Sequence, residues 1–316
     1  MVGNILSWLL LVAVTVFFIW LVTRAWKSRR WYVKWPGVLL SGLLALLLTV
    51  FSVVALIGLV KIYTPAGTAV QEVKVAGTPE QIQRGQHLAD AFCVECHSTT
   101  GQLPMIGGRD LSGDLGIPIG KFVSVNLTPG GPLKDWSDGE ILRVLREGVD
   151  RDGRKLLVMG AANVRYMSDE DIQSVIAYLR SQPAVDNPTL NPPDQPTLLG
   201  LVVAGAGLIP ALPPVTGSVS APPRGETVNY GKYVLSFQDC YGCHGADLKG
   251  GTSALLPKGP NLRVVKGWSR DQFIATLRTG VDPGGHALQP PMPWKSIGRL
   301  DDTELGAAYQ FIASLP

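Results

Sequence analysis

The hydrophobic pattern divides the chain sharply. Residues 5–23 and 36–60 contain no charged side chain. Each run is long enough to cross the ~30 Å hydrocarbon layer of a bilayer as a helix, which takes about 20 residues. Beyond position 62 no apolar run is long enough to span a bilayer, and periodic patterns appear. Ile172, Val175, Ile176 and Leu179 recur at helical spacing. Gly and Pro are plentiful, 36 and 24, which suggests many turns and few long strands. The pattern predicts an all-α chain: a transmembrane helix hairpin over 1–62, then helical domains.

The segment between the apolar runs carries Arg24, Lys27, Arg29, Arg30 and Lys34 and no acid, together with Trp26, Trp31, Tyr32 and Trp35. Clustered cations favour the cytoplasmic side, and aromatic rings favour the headgroup zone. The hairpin is therefore expected in the cell membrane with its turn in the cytoplasm and the rest of the chain on the periplasmic, outer face. A cleaved signal peptide is the competing reading. It lacks a basic segment at residues 1–4, and a second apolar run follows. Neither run holds an ionisable group, so the hairpin reads as an anchor in the lipid bilayer rather than an ion pathway.

The rest of the chain repeats itself. Residues 159–183 align with 292–316 without a gap, pairing Met159 with Met292, Asp169 with Asp302 and Tyr178 with Phe311. Upstream, Trp136-Ser137 and Trp268-Ser269 open matching segments that both end in Gly-Val-Asp. A duplicated domain follows, one copy over 79–183 and one over 225–316. Each copy is expected to have a first helix (79–92 and 227–239), a middle helix after a Ser N-cap (138–147 and 270–279), and a last helix opening at Ser168 or Asp301. Between the copies, 184–224 is rich in Pro and Gly and reads as an extended linker. It contains an apolar stretch, 198–212, too short for a span. Three readings stand for it: lying on the membrane surface, meeting a partner, or folding onto its own domains.

Composition adds little except in the cysteines. The first copy has 11 basic and 14 acidic residues and the second 9 and 8, so neither offers the basic patch that nucleic acid would need. All four cysteines fall in two Cys-x-x-Cys-His motifs: Cys93, Cys96 and His97, and Cys240, Cys243 and His244. In this motif two thiols add across the vinyl groups of a haem and the adjacent His ligates its iron. Zinc ribbons and redox dithiols also use Cys-x-x-Cys. A following His at both motifs, in duplicated helical units, favours two covalently bound haem c groups, with His97 and His244 as iron ligands.

The sixth ligand must come from elsewhere. Met292 lies in a Pro-flanked loop, and Met159 occupies the matched position in the first copy. Both are expected to ligate iron, with Met105 and Met167 as rivals. His/Met ligation raises the potential and closes the iron to substrate, which favours electron transfer. His87 is expected at a packing position and His286 in solvent. The Pro260 carbonyl is a candidate acceptor for the His244 ring N–H, and Trp136 and Trp268 are candidates for walls of the haem edge.

The two motifs, the segment 125–156, the run Tyr166–Pro183 and the Pro-Pro-Met-Pro-Trp loop resemble class I cytochromes c. More closely, they are similar to the cytochrome c subunits of bacterial membrane-bound alcohol and aldehyde dehydrogenases. The resemblance spans both copies. It implies two helical c domains passing electrons between a membrane oxidoreductase complex and a partner such as a soluble carrier, with no catalysis by the chain itself. Those subunits typically have three haem domains, a C-terminal membrane contact and a Met-Pro-Tyr loop. Here there are two copies, an N-terminal hairpin and Met159-Gly160-Ala161. An anchor with two haems is similar in layout to the dihaem subunit of a terminal oxidase. Other functions open to the sequence are a dihaem peroxidase and a dock or assembly factor. The expected role is an electron-transfer subunit of a respiratory or photosynthetic membrane complex.

Overall fold

The computed structural model describes residues 1–187, 193–209, 215, 217–251 and 258–316. These form two compact units.

The first unit comprises residues 1–65, 118–121 and 194–211. Helices α1 (Val2–Trp26) and α2 (Trp31–Tyr63) extend each expected apolar run by a few residues at both ends. Both are long and apolar enough to cross a membrane. They pair as a hairpin, since Asn4 donates to the Tyr63 hydroxyl at 2.8 Å and Trp8 donates to the Ser52 carbonyl at 2.9 Å. At the turn, Lys34 Nζ lies 4.3 Å from the centre of the Trp26 ring, a cation held against an aromatic face.

The expected linker contains structure. Gln195–Pro196 pairs antiparallel with Gly120–Lys121, the one strand pair among the described residues. Helix α8 (Leu198–Gly205) follows, capped by the Thr197 side chain, and packs on α2. Of the three readings for 198–212, the described part folds onto its own chain; residues 210–212 lie outside the described residues. Glycines permit the contact. A Cβ on Gly58 would sit 1.8 Å from the Leu201 carbonyl oxygen, and one on Gly205 would sit 1.9 Å from that of Val54. Small residues allow backbones to meet in this way where the surroundings are apolar.

The second unit holds both repeats. In the first, α3 (Pro79–Leu88) leads through a widened turn, Ala89–Cys93, into α4 (Val94–His97). The α-helical part is thus shorter than expected, ending before the first cysteine. Then come α5 (Asp138–Glu147), the short α6 (Leu157–Gly160) and α7 (Asp169–Ser181). The second repeat runs α9 (Val228–Phe237), α10 (Cys240–His244), α11 (Arg270–Thr279), α12 (Trp294–Ile297) and α13 (Asp302–Ser314). The middle helices have the expected bounds. Ser137 and Ser269 each cap one and share a reciprocal capping box with Glu140 and Gln272.

First and last helices cross at matched glycines. A Cβ on Gly85 would fall 1.8 Å from the Ser174 carbonyl oxygen; one on Gly231 would fall 1.9 Å from that of Ala307. Ser174 and Ala307 are equivalent in the gapless alignment of the repeats. From these crossings the chain reaches Cys93 in eight residues but Cys240 in nine. The longer path passes through Asp239, which adopts a left-handed conformation with φ of 59°. Around the crossings Leu88, Val94, Ile172, Ile176, Phe237, Leu305 and Ile312 form a core closed to water.

Candidate functional site

Each Cys-x-x-Cys-His motif sits where a first helix ends against its last helix. Cys93 closes the widened turn and Cys96 and His97 lie on α4, whereas all of the second motif lies on α10. A single helical turn therefore separates the two thiols in each repeat, and the His follows on the same turn.

The imidazoles are oriented alike. His97 Nδ1 is 3.0 Å from the Val125 carbonyl oxygen, and His244 Nδ1 is 2.8 Å from that of Pro260. A carbonyl only accepts, so Nδ1 carries the proton and Nε2 presents a lone pair. His244 is 5% exposed, and its Nε2 is buried with no hydrogen-bond partner. An unpartnered buried acceptor is costly unless something binds it, and a neutral imidazole aimed in this way suits a metal. Gly259 makes room for the ring: a Cβ there would sit 2.6 Å from Nδ1. Burial also lowers the pKa of His97, only partly offset by the Val125 bond, which favours the neutral, ligating form.

Burial disfavours the thiolate form that a redox dithiol uses. Desolvation pushes Cys93 and Cys240 up to about 12 and raises Cys96 and Cys243 as well. Reactive cysteines have depressed values. None of the four is joined in a disulfide.

The expected Pro260 acceptor is present. Its counterpart, Val125, is not among the residues expected from the sequence, although a signal for it exists: Val125-Asn126-Leu127 matches Pro260-Asn261-Leu262. The methionines separate into two classes. Met105 and Met167 are fully buried in the hydrophobic core, whereas Met159, on α6, and Met292, just before α12, are half-buried against it. Trp136 and Trp268 are likewise half-buried against the core, and their carbonyls are held by Arg180 and by the Tyr309 hydroxyl. His286 is exposed and pairs with Asp282. His87 departs from expectation. It does not fill a packing position but bonds through Nε2 to Glu304 of the other repeat at 2.6 Å, because that buried carboxylate requires a polar partner.

Residues 82–183 and 228–316 match the cytochrome c family. The chain belongs to the cytochrome c family. This cytochrome is similar to a subunit of the nicotinate dehydrogenase of Pseudomonas putida, 29% identical over 74% of the chain and 21% of that protein. It is 28% identical to the cytochrome c subunit of the quinone alcohol dehydrogenase of Gluconacetobacter polyoxogenes, over 69% of the chain and 43% of the relative. It is 35% identical to the gluconate 2-dehydrogenase cytochrome c subunit of Pantoea cypripedii, over 31% of the chain and 22% of the relative. The cytochrome thus spans less than half the length of these relatives.

The donor set fits the family's covalently bound haem c. The paired thiols of each motif would form the thioether links, and the following histidine, with its tautomer fixed and Nε2 available, would hold the iron. The haem supplies an iron that cycles between two oxidation states, which is electron-transfer chemistry. The protein's part is to hold the ring nitrogen, exclude water and set the polarity around it.

Proposed function

We propose that the cytochrome carries two haem c groups and serves as the electron-transfer subunit of a membrane dehydrogenase complex, with catalysis residing in other subunits. Cys93, Cys96 and His97 hold one haem; Cys240, Cys243 and His244 hold the other. Met159 and Met292 complete the two coordination spheres. The observation that carries this reading is the His244 ring, tied through Nδ1 to Pro260 with Nε2 buried and unpartnered. The matched His97–Val125 pair extends it to the first repeat. The half-buried positions of Met159 and Met292 favour them over the fully buried Met105 and Met167. The relatives are named as dehydrogenase subunits, which supports a dehydrogenase as the electron donor.

Helices α1 and α2 anchor the chain in the bilayer. The cations between them favour a cytoplasmic turn, which leaves the haem domains on the periplasmic face, where a soluble carrier or an oxidase would take the electrons. Purification from native membrane tests the assignment. Two haems per chain, low-spin spectra and a co-purifying dehydrogenase whose substrate reduces both haems are expected. One haem per chain, or peroxide turnover by the isolated protein, would overturn it.

A further inference from the structure

The two repeats share an interface built of equivalent residues. Asp171 and Glu304 occupy the same position in the two last helices, as do His87 and Tyr233 in the two first helices. Each acid is met by the first helix of the opposite repeat. His87 Nε2 bonds Glu304 Oε2 at 2.6 Å, and the Tyr233 hydroxyl donates to Asp171 Oδ2 at 2.5 Å. Arg84 joins the halves, gripping Asp171 with Nε at 2.8 Å and Nη2 at 3.1 Å and reaching Glu304 Oε1 with Nη1 at 2.5 Å. The Tyr233 hydroxyl also accepts the Ser168 N–H at 2.8 Å. Glu304 is completely closed to water and Asp171 nearly so.

The motifs themselves are cross-docked by a second equivalent pair. Asn163 and Ser296 lie four residues past Met159 and Met292. Asn163 donates to Asp239, the residue before Cys240, and Ser296 donates at 3.1 Å to Glu95, between Cys93 and Cys96. Arg299 adds bonds to the Asp90 side chain at 2.9 Å and the Gly101 carbonyl at 2.6 Å. Each cysteine motif is thus steadied by the segment that follows the other repeat's methionine.

We infer that Arg84, His87, Asp171, Tyr233 and Glu304 are positioning residues that clamp the two c domains in one fixed register, so that electrons pass between their haems through a set geometry rather than by encounters of two domains moving on a tether. Buried charges make such a register specific. Two carboxylates removed from water tolerate only the arrangement that returns their partners. The residues on the 184–224 connection then need not hold the domains together, because the interface does. This inference rests on the two-haem reading above, and the haem count checks that reading separately.

The test uses the full-length holoprotein in detergent, with a protease site placed between residues 209 and 215. Haem content is measured first; a value other than two per chain refutes the underlying reading and not the clamp. After cleavage, the C-terminal haem domain is expected to stay with the fragment bearing α1 and α2, and flash-generated electrons are expected to cross between the haems at a rate independent of protein concentration. Glu304→Ala takes the carboxylate from His87 and leaves Arg84 bonded to Asp171 alone, within the first repeat, and is expected to weaken association of the halves by about a hundredfold and to make inter-haem transfer concentration-dependent. Should that variant not fold, Tyr233→Phe removes a single oxygen and is expected to weaken association about tenfold. Its haem spectra should be unchanged while inter-haem transfer slows. Release of the C-terminal domain from the cleaved wild type would overturn the clamp. So would variants with association and transfer kinetics equal to those of the wild type.

Discussion

His244 donates its Nδ1 proton to the Pro260 carbonyl oxygen at 2.8 Å, and the residue before that proline is a glycine whose missing Cβ leaves the space the ring fills. Ring orientation and proton position are therefore set by two consecutive residues, Gly259 and Pro260, with the Gly259 N–H bonded to the Cys243 carbonyl at 2.8 Å. Gly259→Ala would force a methyl to within 2.6 Å of Nδ1. Overpacking of this kind costs roughly 1–3 kcal/mol. The expected result is a tilted imidazole, seen as a shifted absorbance band and an altered midpoint potential for the second haem alone. Unchanged redox titrations would show that the glycine does not set the ring.

Removing the proposed sixth ligands should separate the two classes of methionine. Met292→Ala and Met159→Ala are each expected to lower one midpoint potential by on the order of 0.1 V and to convert one haem to a high-spin spectrum, because axial ligands govern haem potentials over several tenths of a volt. Met105→Leu and Met167→Leu, at fully buried core positions, should leave both spectra intact and change stability by less than about 1.5 kcal/mol. Spectroelectrochemistry on the four variants reads out both expectations.

The helix crossings set an upper limit on side-chain size. Gly231→Ala places a methyl 1.9 Å from the Ala307 carbonyl oxygen, in contact with backbone that cannot rotate away. Destabilisation of at least about 1–3 kcal/mol is expected, measured by denaturant unfolding followed at the haem band of the second domain. Gly85→Ala should do the same in the first domain, through Ser174. A midpoint within error of the wild type would show that the helices can separate freely at the crossing.

Acid should weaken the pair of c domains in a defined window. Burial alone would raise the Glu304 carboxyl, but the His87 hydrogen bond and the Arg84 charge outweigh it and hold the group at about 2 instead of 4.5. A depressed folded value means that the stabilisation is complete above the unfolded value and is lost as pH falls from 4.5 towards 2. For a fully buried group this amounts to roughly 3 kcal/mol. Glu304→Gln should flatten the stability profile across that window while lowering the plateau above it. A profile that keeps its full acid slope in the variant would assign the effect to other carboxylates.

Much of this protein is carried by local chemistry, and that part is legible in the sequence. Uninterrupted apolar runs specify two long helices whatever surrounds them. Ser137 and Ser269 announce their helices because a side-chain cap is made within four residues. Cysteine spacing and the following histidine are fixed within one turn, and the Pro260 acceptor lies only sixteen residues past His244. What the sequence leaves open depends on groups distant along the chain. That 198–205 docks on its own α2 is decided by the close approach of Gly58 to Leu201, a contact between segments far apart in sequence. The role of His87 is decided by Glu304, on the far side of the second repeat. Its helical position resembles packing until the fold buries a carboxylate against it. Local sequence determines which helices form and where a haem can be attached. Only tertiary burial, which makes an unpaired charge intolerable and so selects its partner, decides how the two c domains meet.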